Sequence, residues 1–592
     1  MGSSTTLIGL SASPGIAIGR CWPIDRRKVK TPRQRIEPTE VDAELERLRA
    51  ALELSDHQLA EVREKVAKVQ GTEHTAIIDM HRLMLKDEML VVEAQRLIQS
   101  DRINAEWAVR RAVRKIKGSF SELADAYFKE RRADIDYVGE RIIKNLLGEA
   151  VDVVEPPPEG AIIIARDLSP ADTALLLHDR KVGAFATDAG AKTSHTAIVA
   201  RALEVPAVVG LGRISTVATQ GDWIVVDGGR GMVVLNPSPE ERADYELARE
   251  RYLEHDRDLM RTRDLPARTA DGLTVRLVGN IEFAEEVPSL LAHGGEGVGL
   301  YRTEFLFLGR NDLPTEEEHY RNYRQVLEAL GDRPVTIRTF DLGGDKLPSA
   351  TKSHAENPAL GLRAVRFSLR HPDLFRAQLR GILRASVHGN LKVMFPMVSG
   401  VAELRAAKRA LYDVRDELEM EGIPTRMPPI GAMVELPAAA MSADRLAREC
   451  DFMSIGTNDL IQYTVAIDRQ NKDVAYLYRP LHLSVLRMLK FICDAGAKAN
   501  VPVSMCGEMA GEPLYVLILL GLGLSELSMN GSAIPMVKRV VRAASAADGR
   551  ALLDRVLELT LATEIEREVR AEMVRRFPGL LEIETAVGPV AG

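Results

Sequence analysis

The stretch FMSIGTND, residues 452–459, is a short apolar run that ends in small and polar residues, and LIQYTVAIDR, residues 460–469, continues it with helical spacing. A run of about four to eight apolar residues bounded by turn formers reads as a buried strand. The same unit recurs along the second half of the chain. VRLVGN (275–280), GVGLYR (297–302), VTIRTFD (335–341), LKVMFPM (391–397) and IGAMVE (430–435) come before it. VPVSMCG (501–507) and SELSMN (525–530) come after it. Each precedes helical sequence, and eight β/α units over about 270 residues predict a (β/α)8 TIM barrel.

Chemistry in such a barrel gathers at the C-terminal ends of the strands. The runs place Arg302 at the end of the second strand, Arg338 at the third and Glu435 at the fifth. Asn458 and Asp459 end the sixth and Cys506 the seventh, while Arg363 and Arg469 fall in loops beyond the third and sixth. Any one of these is an ordinary surface charge. Drawn from at least four strands, they predict one shared site. Several arginines suit a small ligand with both phosphate and carboxylate groups, because the guanidinium fork binds either. Glu435 and Asp459 offer hard oxygens of the kind Mg²⁺ prefers. Cys506 has no metal-ligating neighbour. With a thiol pKa of about 8.5 it would be mostly protonated and could donate a proton. Gly507 is expected to leave room for a ligand beside the backbone. The alternative for Cys506 is a small core residue at a strand end.

Upstream of the barrel, residues 239–264 are strongly charged and helical, which predicts a solvated face or a connector. Before it, AIIIARDLSP, AFATDAG, VPAVVG, DWIVVDGG and MVVLNP alternate with short helices and predict a compact α/β domain. This domain contains GAKTSHTAIVARALEVP, residues 190–206. Thr193 or Ser194 is a candidate N-cap, and Ala197, Ile198, Val199, Ala200 and Leu203 read as a helix with a buried face. His195 would then sit at a helix N-terminus, which favours a neutral, nucleophilic imidazole and free N–H groups able to hold a phosphoryl group. Between the first strands (7–24) and this domain, Leu45, Leu48, Leu52, Ser55, Leu59, Val62, Val66 and Val69 are spaced as an a/d seam. Three or four further helices predict an inserted bundle. Its periodicity fits a plain bundle and a docking platform equally.

The boundaries read from these patterns are an α/β domain at 1–36 and 150–238, a helical insertion at 37–149, a linker helix at 239–264 and the barrel at 265–592. A length of 592 residues accommodates them, since about 150 residues per domain is typical. A net charge of −7 leaves no basic surplus for nucleic acid. No apolar run reaches the roughly 18 residues of a membrane span, and the N-terminus has no basic segment before its apolar part. Cys21, Cys450, Cys493 and Cys506 are far apart, which argues against a zinc site or a disulfide framework and for reduced thiols in a cytoplasm.

These residues resemble those of the phosphoenolpyruvate-utilising enzymes and, within them, the Enzyme I branch of the bacterial sugar phosphotransferase system. The likeness runs through SASPGIAIG, TSHTAIVARALEVPAVVG, GVGLYRTEFLFLGR, IRTFDLGGDK, ENPALGLRAVR, FPMVSG, FMSIGTNDLIQYTVAIDR and MCGEMAG. One departure is Ala191, where that family usually has a second glycine. The resemblance implies an α/β phosphohistidine domain with an inserted helical domain that binds the carrier HPr, followed by a phosphoenolpyruvate-binding barrel through which the chain forms a homodimer. It implies that His195 attacks phosphoenolpyruvate through Nε2 in the presence of Mg²⁺, that Cys506 protonates the departing enolate to pyruvate, and that Thr173 orients the imidazole. Arg302, Arg338, Arg363, Asn458, Asp459 and Arg469 would bind substrate, and Glu435 and Asp459 the metal. Rival readings are a nitrogen-branch paralogue, which carries an additional N-terminal sensor domain, an enzyme like pyruvate phosphate dikinase or phosphoenolpyruvate synthase, which needs an ATP-binding domain before residue 190, and a catalytically inert scaffold.

Overall fold

The computed structural model describes all residues except 1–3, 25–30, 71–80, 122–125, 149–156, 169–181, 191–199, 201–204, 308–312, 343–359, 469–470, 472–473 and 579–592. His195, Thr173 and Arg469 lie outside the described residues. The chain divides into two compact units that meet in sequence between Leu253 and Glu254.

The first unit is built on one eight-stranded sheet. Its strands are β1 (Thr5–Ile8), β2 (Leu10–Ser13), β3 (Ile16–Ile24), β4 (Ala161–Ala165), β5 (Val182–Thr187), β6 (Ala207–Val209), β7 (Trp223–Asp227) and β8 (Met232–Leu235). Their order is β1-β8-β7-β3-β4-β5-β6-β2. β3, β4, β5 and β6 pair in parallel, and the flanking pairs are antiparallel. The central strand β4 reads AIIIA, and all five residues are buried. Ile162 and Ile164 face one apolar cluster, Ile163 and Ala165 another. That is the expected pattern for a parallel strand covered on both faces.

Helices interrupt this sheet in sequence between β3 and β4, the long ones among the described residues being α1 (Val41–Gln70), α2 (Glu88–Asp101), α3 (Ala105–Ser121) and α4 (Ala126–Leu147). Of the a/d seam, Leu48, Ser55 and Leu59 are buried and Leu45 and Leu52 half-buried against their own core, which includes Ala51, Leu97, Ile116 and Ile142. Ser55 is accommodated because its hydroxyl donates to the Ala51 carbonyl at 2.6 Å and accepts from Asn145 Nδ2 at 2.8 Å. The side chains of Val62, Val66 and Val69 lie outside the described residues. The charged stretch after β8 forms a helix, α5 (Pro239–Met260).

The second unit is a closed barrel of eight strands: β9 (Arg276–Ile281), β10 (Val298–Arg302), β11 (Pro334–Arg338), β12 (Asn390–Phe395), β13 (Ile430–Val434), β14 (Phe452–Ile455), β15 (Val503–Met505) and β16 (Glu526–Met529). Every neighbouring pair is parallel, and β16 closes on β9. All eight apolar runs form these strands. Among the described residues no helix is long and apolar enough to cross a membrane.

Candidate active site at the barrel mouth

Arg302 and Arg338 are the last residues of β10 and β11. Glu435 and Cys506 stand one residue beyond β13 and β15. Asn458 and Asp459 differ from expectation. β14 stops at Ile455, Gly456 is the turn, and the pair occupies the first turn of the helix Thr457–Thr464. Arg363 is likewise a helix cap, directly before Ala364–Arg370. The run FMSIGTND therefore holds a strand, a one-residue turn and a helix start, which apolar spacing alone does not separate.

The guanidinium groups are braced by carboxylates. Arg302 Nη1 donates to Glu282 Oε1 at 2.8 Å. Arg338 Nη2 donates to Glu304 Oε1 at 2.8 Å, and its Nη1 lies 3.5 Å from Asp341 Oδ2. Arg363 grips Asp341 with two bonds, Nε to Oδ1 at 3.0 Å and Nη2 to Oδ2 at 2.7 Å. The same Nη2 reaches Asp459 Oδ2 at 3.2 Å, and Nη1 donates to the Tyr463 hydroxyl at 3.1 Å. Asn458 is held by Glu508, with Nδ2 to Oε1 at 3.2 Å and the Glu508 N–H to Asn458 Oδ1 at 2.9 Å. Glu282, Glu304, Asp341, Tyr463 and Glu508 were not foreseen as members of this set. Asp341 lies three residues after Arg338 and was visible in IRTFD as a close acid–base pair, whereas Glu304, two residues after Arg302, braces Arg338 instead.

Among the described residues, Arg338 Nε and the Thr457 hydroxyl are buried with no hydrogen-bond partner. A buried donor without an acceptor costs about 1–3 kcal/mol, which a bound ligand would relieve.

Glu435 is buried, and its Oε1 accepts from the Met397 N–H at 2.6 Å. Burial raises its pKa to about 8, reinforced by the charges of Asp459 and Asp341 and opposed by Arg338 and Arg363. Glu435 is thus held against its charged form chiefly by burial. A hard divalent cation drawn to Glu435 and Asp459 would favour the charged carboxylate, so the donor set fits Mg²⁺.

Cys506 is 3% exposed and packs with Leu300, Met394, Met433 and Phe452 inside the barrel. Its Sγ lies 3.7 Å from the Ile455 carbonyl. Burial pushes the thiol up to about 11, opposed by Ser454, Arg338 and Arg302 and reinforced by the charge of Glu435. The group is protonated at neutral pH, as a donor must be. The space expected beside Gly507 is absent: a Cβ there would come within 1.8 Å of Thr457 Oγ1 and 2.6 Å of its backbone nitrogen. Gly507 lets the chain after β15 lie against the start of the helix that carries Asn458 and Asp459.

The profile of the PEP-utilising enzymes' PEP-binding domain matches residues 256–546. Those of the N-terminal and mobile domains match residues 8–131 and 157–231. A phosphoenolpyruvate-protein phosphotransferase of Geobacillus stearothermophilus is 42% identical over 562 residues, 95% of this chain and 97% of that protein. A protein of the same name from Bacillus sp. (strain S) is 41% identical with the same coverage. One from Priestia megaterium is 42% identical over 566 residues, 95% of this chain and 98% of its own. With three domain profiles in order and such identity along nearly its full length, the chain belongs to the phosphoenolpyruvate-protein phosphotransferases, a branch of the PEP-utilising enzymes.

Proposed function

We propose that this chain moves the phosphoryl group of phosphoenolpyruvate to His195 with release of pyruvate, and then to a histidine of HPr, as the general Enzyme I of a sugar phosphotransferase system. The observation that carries the reading is the buried Arg338 Nε, which has no acceptor among the described residues, in a mouth where Arg302, Arg338 and Arg363 are otherwise braced by carboxylates. Such a lattice is organised before an anion arrives, and preorganised positive charge stabilises a transferring phosphoryl group.

In this reading Arg302, Arg338, Arg363 and Arg469 hold the phosphate and carboxylate of the substrate, and Asn458 adds a neutral hydrogen-bonding group. Glu435 and Asp459 hold Mg²⁺, which when bound neutralises charge on the phosphoryl oxygens. His195 Nε2 forms the bond to phosphorus as the bond from phosphorus to the enol oxygen breaks. The Cys506 thiol gives its proton to the methylene carbon of the enolate, yielding pyruvate, and the thiolate recovers a proton from solvent. Thr173 orients the imidazole. The helical insertion docks HPr, the barrel carries the homodimer contact, and the protein works in the cytoplasm.

The test is labelling by phosphoenolpyruvate alone, without a partner protein. The wild-type chain is expected to take up acid-labile, base-stable label and release pyruvate, and His195→Ala to take up none. Label persisting on His195→Ala would overturn the assignment.

A further inference from the structure

Gln378 sits in the middle of the helix Pro372–Ala385, in the barrel's outer layer, and is fully buried. Its amide has two N–H donors and a carbonyl acceptor, and all of them are engaged. Oε1 accepts from the Phe340 backbone N–H at 3.1 Å. Nε2 donates to Thr303 Oγ1 at 3.0 Å and to the Tyr323 hydroxyl at 3.1 Å. Because a backbone N–H can only donate, the amide can be placed one way round. Beyond it, the Thr303 hydroxyl donates to the Arg338 carbonyl at 2.9 Å, and the Tyr323 hydroxyl meets His319 Nδ1 at 3.0 Å.

Two of these three arms end at the barrel mouth. Thr303 lies between Arg302 and Glu304, and Phe340 lies between Arg338 and Asp341 by one residue on either side or less. One amide thus couples the segment after β10 to the segment after β11. The aromatic packing nearby, with Phe307 and Phe375 at 5.2 and 6.4 Å from Phe340, fills space but sets no direction. Directional bonds in a buried, satisfied network fix position far more narrowly than apolar contact does.

We propose that Gln378 is a positioning residue for the reaction with phosphoenolpyruvate: it touches no substrate and holds the two backbone segments that aim Arg302 and Arg338. This rests on the reading of those arginines as the substrate's anchors. Loss of the amide frees Thr303 to turn away from the Arg338 carbonyl and lets the two strand ends drift apart. A misplacement of about 1 Å at such a site is worth up to about a hundredfold in rate.

The experiment compares KM for phosphoenolpyruvate and kcat for pyruvate release in the full chain, for wild type, Gln378→Leu, Thr303→Val and Arg338→Lys. Gln378→Leu is expected to raise KM by about tenfold or more while the folded fraction, read by circular dichroism, stays complete. Should Gln378→Leu not fold, Thr303→Val carries the test, since it keeps the shape and removes the bond to the Arg338 carbonyl. It is expected to raise KM in the same way. A KM within about twofold of wild type in the variant that folds, with kcat reduced only in proportion to folded protein, would overturn the proposal. Arg338→Lys separates the two levels. If it loses activity while both other variants keep the wild-type KM, the positioning role alone fails. If Arg338→Lys is itself unimpaired, the arginine reading fails and the proposal with it.

Discussion

At Cys506 a buried apolar position and the proposed proton donor coincide. The thiol is raised to about 11 by burial, so it stays protonated across the neutral range and gives up this state only as pH climbs through that value. Cys506→Ala is expected to slow pyruvate formation from phosphoenolpyruvate by about a hundredfold or more, while exchange of phosphate between His195 and HPr stays near wild type, because no carbon is protonated in that exchange. Both rates are measured on the one variant. Equal loss in the two would make Cys506 a folding residue, and no loss in either would remove it from the site. Glu435 shows the same effect of burial on a carboxyl group. Its folded pKa, about 8, stands above the value near 4.5 of a free carboxyl, so the folded state binds the proton more tightly than the unfolded one. Stability from this group is therefore full below about pH 4.5 and falls as pH rises towards 8. Glu435→Gln is expected to remove that slope: metal-free Tm of the variant relative to wild type should increase between pH 5 and 8. Mg²⁺-dependent turnover should meanwhile drop about a hundredfold or more. A relative Tm that is flat across this range would show that Glu435 is not held against its charged form.

At the level of elements, the mouth depends on how close two of them lie. Gly507 has φ near −77°, open to any residue, so what it supplies is space for Thr457 and not backbone freedom. Gly507→Ala should push the helix Thr457–Thr464 outward, cost about 1–3 kcal/mol by urea denaturation and raise KM for phosphoenolpyruvate. An unchanged KM at lowered stability would mean that Asn458 and Asp459 do not depend on this contact. The strands themselves were legible because each is a short apolar run closed by a turn residue, a signal local to the run. The change from strand to helix at Gly456 was not, since Ile455 and Leu460 are both apolar and both buried. Nor were most of the carboxylate partners of the arginines, Asp341 beside Arg338 excepted. Glu282 meets Arg302, and Asp459 meets Arg363, only through the register of a closed barrel, which no spacing within a segment encodes. Gly507 was misread for the same reason: small residues mark closeness, and sequence does not tell a ligand from a neighbouring helix.

For the molecule as a whole, the proposed reaction divides phosphoryl chemistry between units. The barrel unit contains every described member of the mouth, and the first unit contains the sheet together with His195 in sequence. Residues 1–260 are therefore expected to accept phosphate from phosphorylated HPr, yet to take none from phosphoenolpyruvate. Mixing that fragment with labelled carrier is the measurement, and an inert fragment would show that the helical insertion is not the docking surface. The fold class was readable from the alternation of patterns along the chain. The identity of the docking partner was not, because the apolar seam of α1 serves its own bundle in either case.

The place of that bundle in the chain bears on how the protein is made. β3 takes its parallel partner from β4, and everything from residue 25 to residue 160 is synthesised between them. Its antiparallel partner β7 comes later still. During translation, at about 5–20 residues per second, β3 thus leaves the ribosome with neither neighbour in existence. The four helices, whose contacts lie among themselves, are the first structure the nascent chain can complete. The eight-stranded sheet is then completed after a module already folded, and the unpaired edge of β3 is the surface a chaperone would have to guard in the interval.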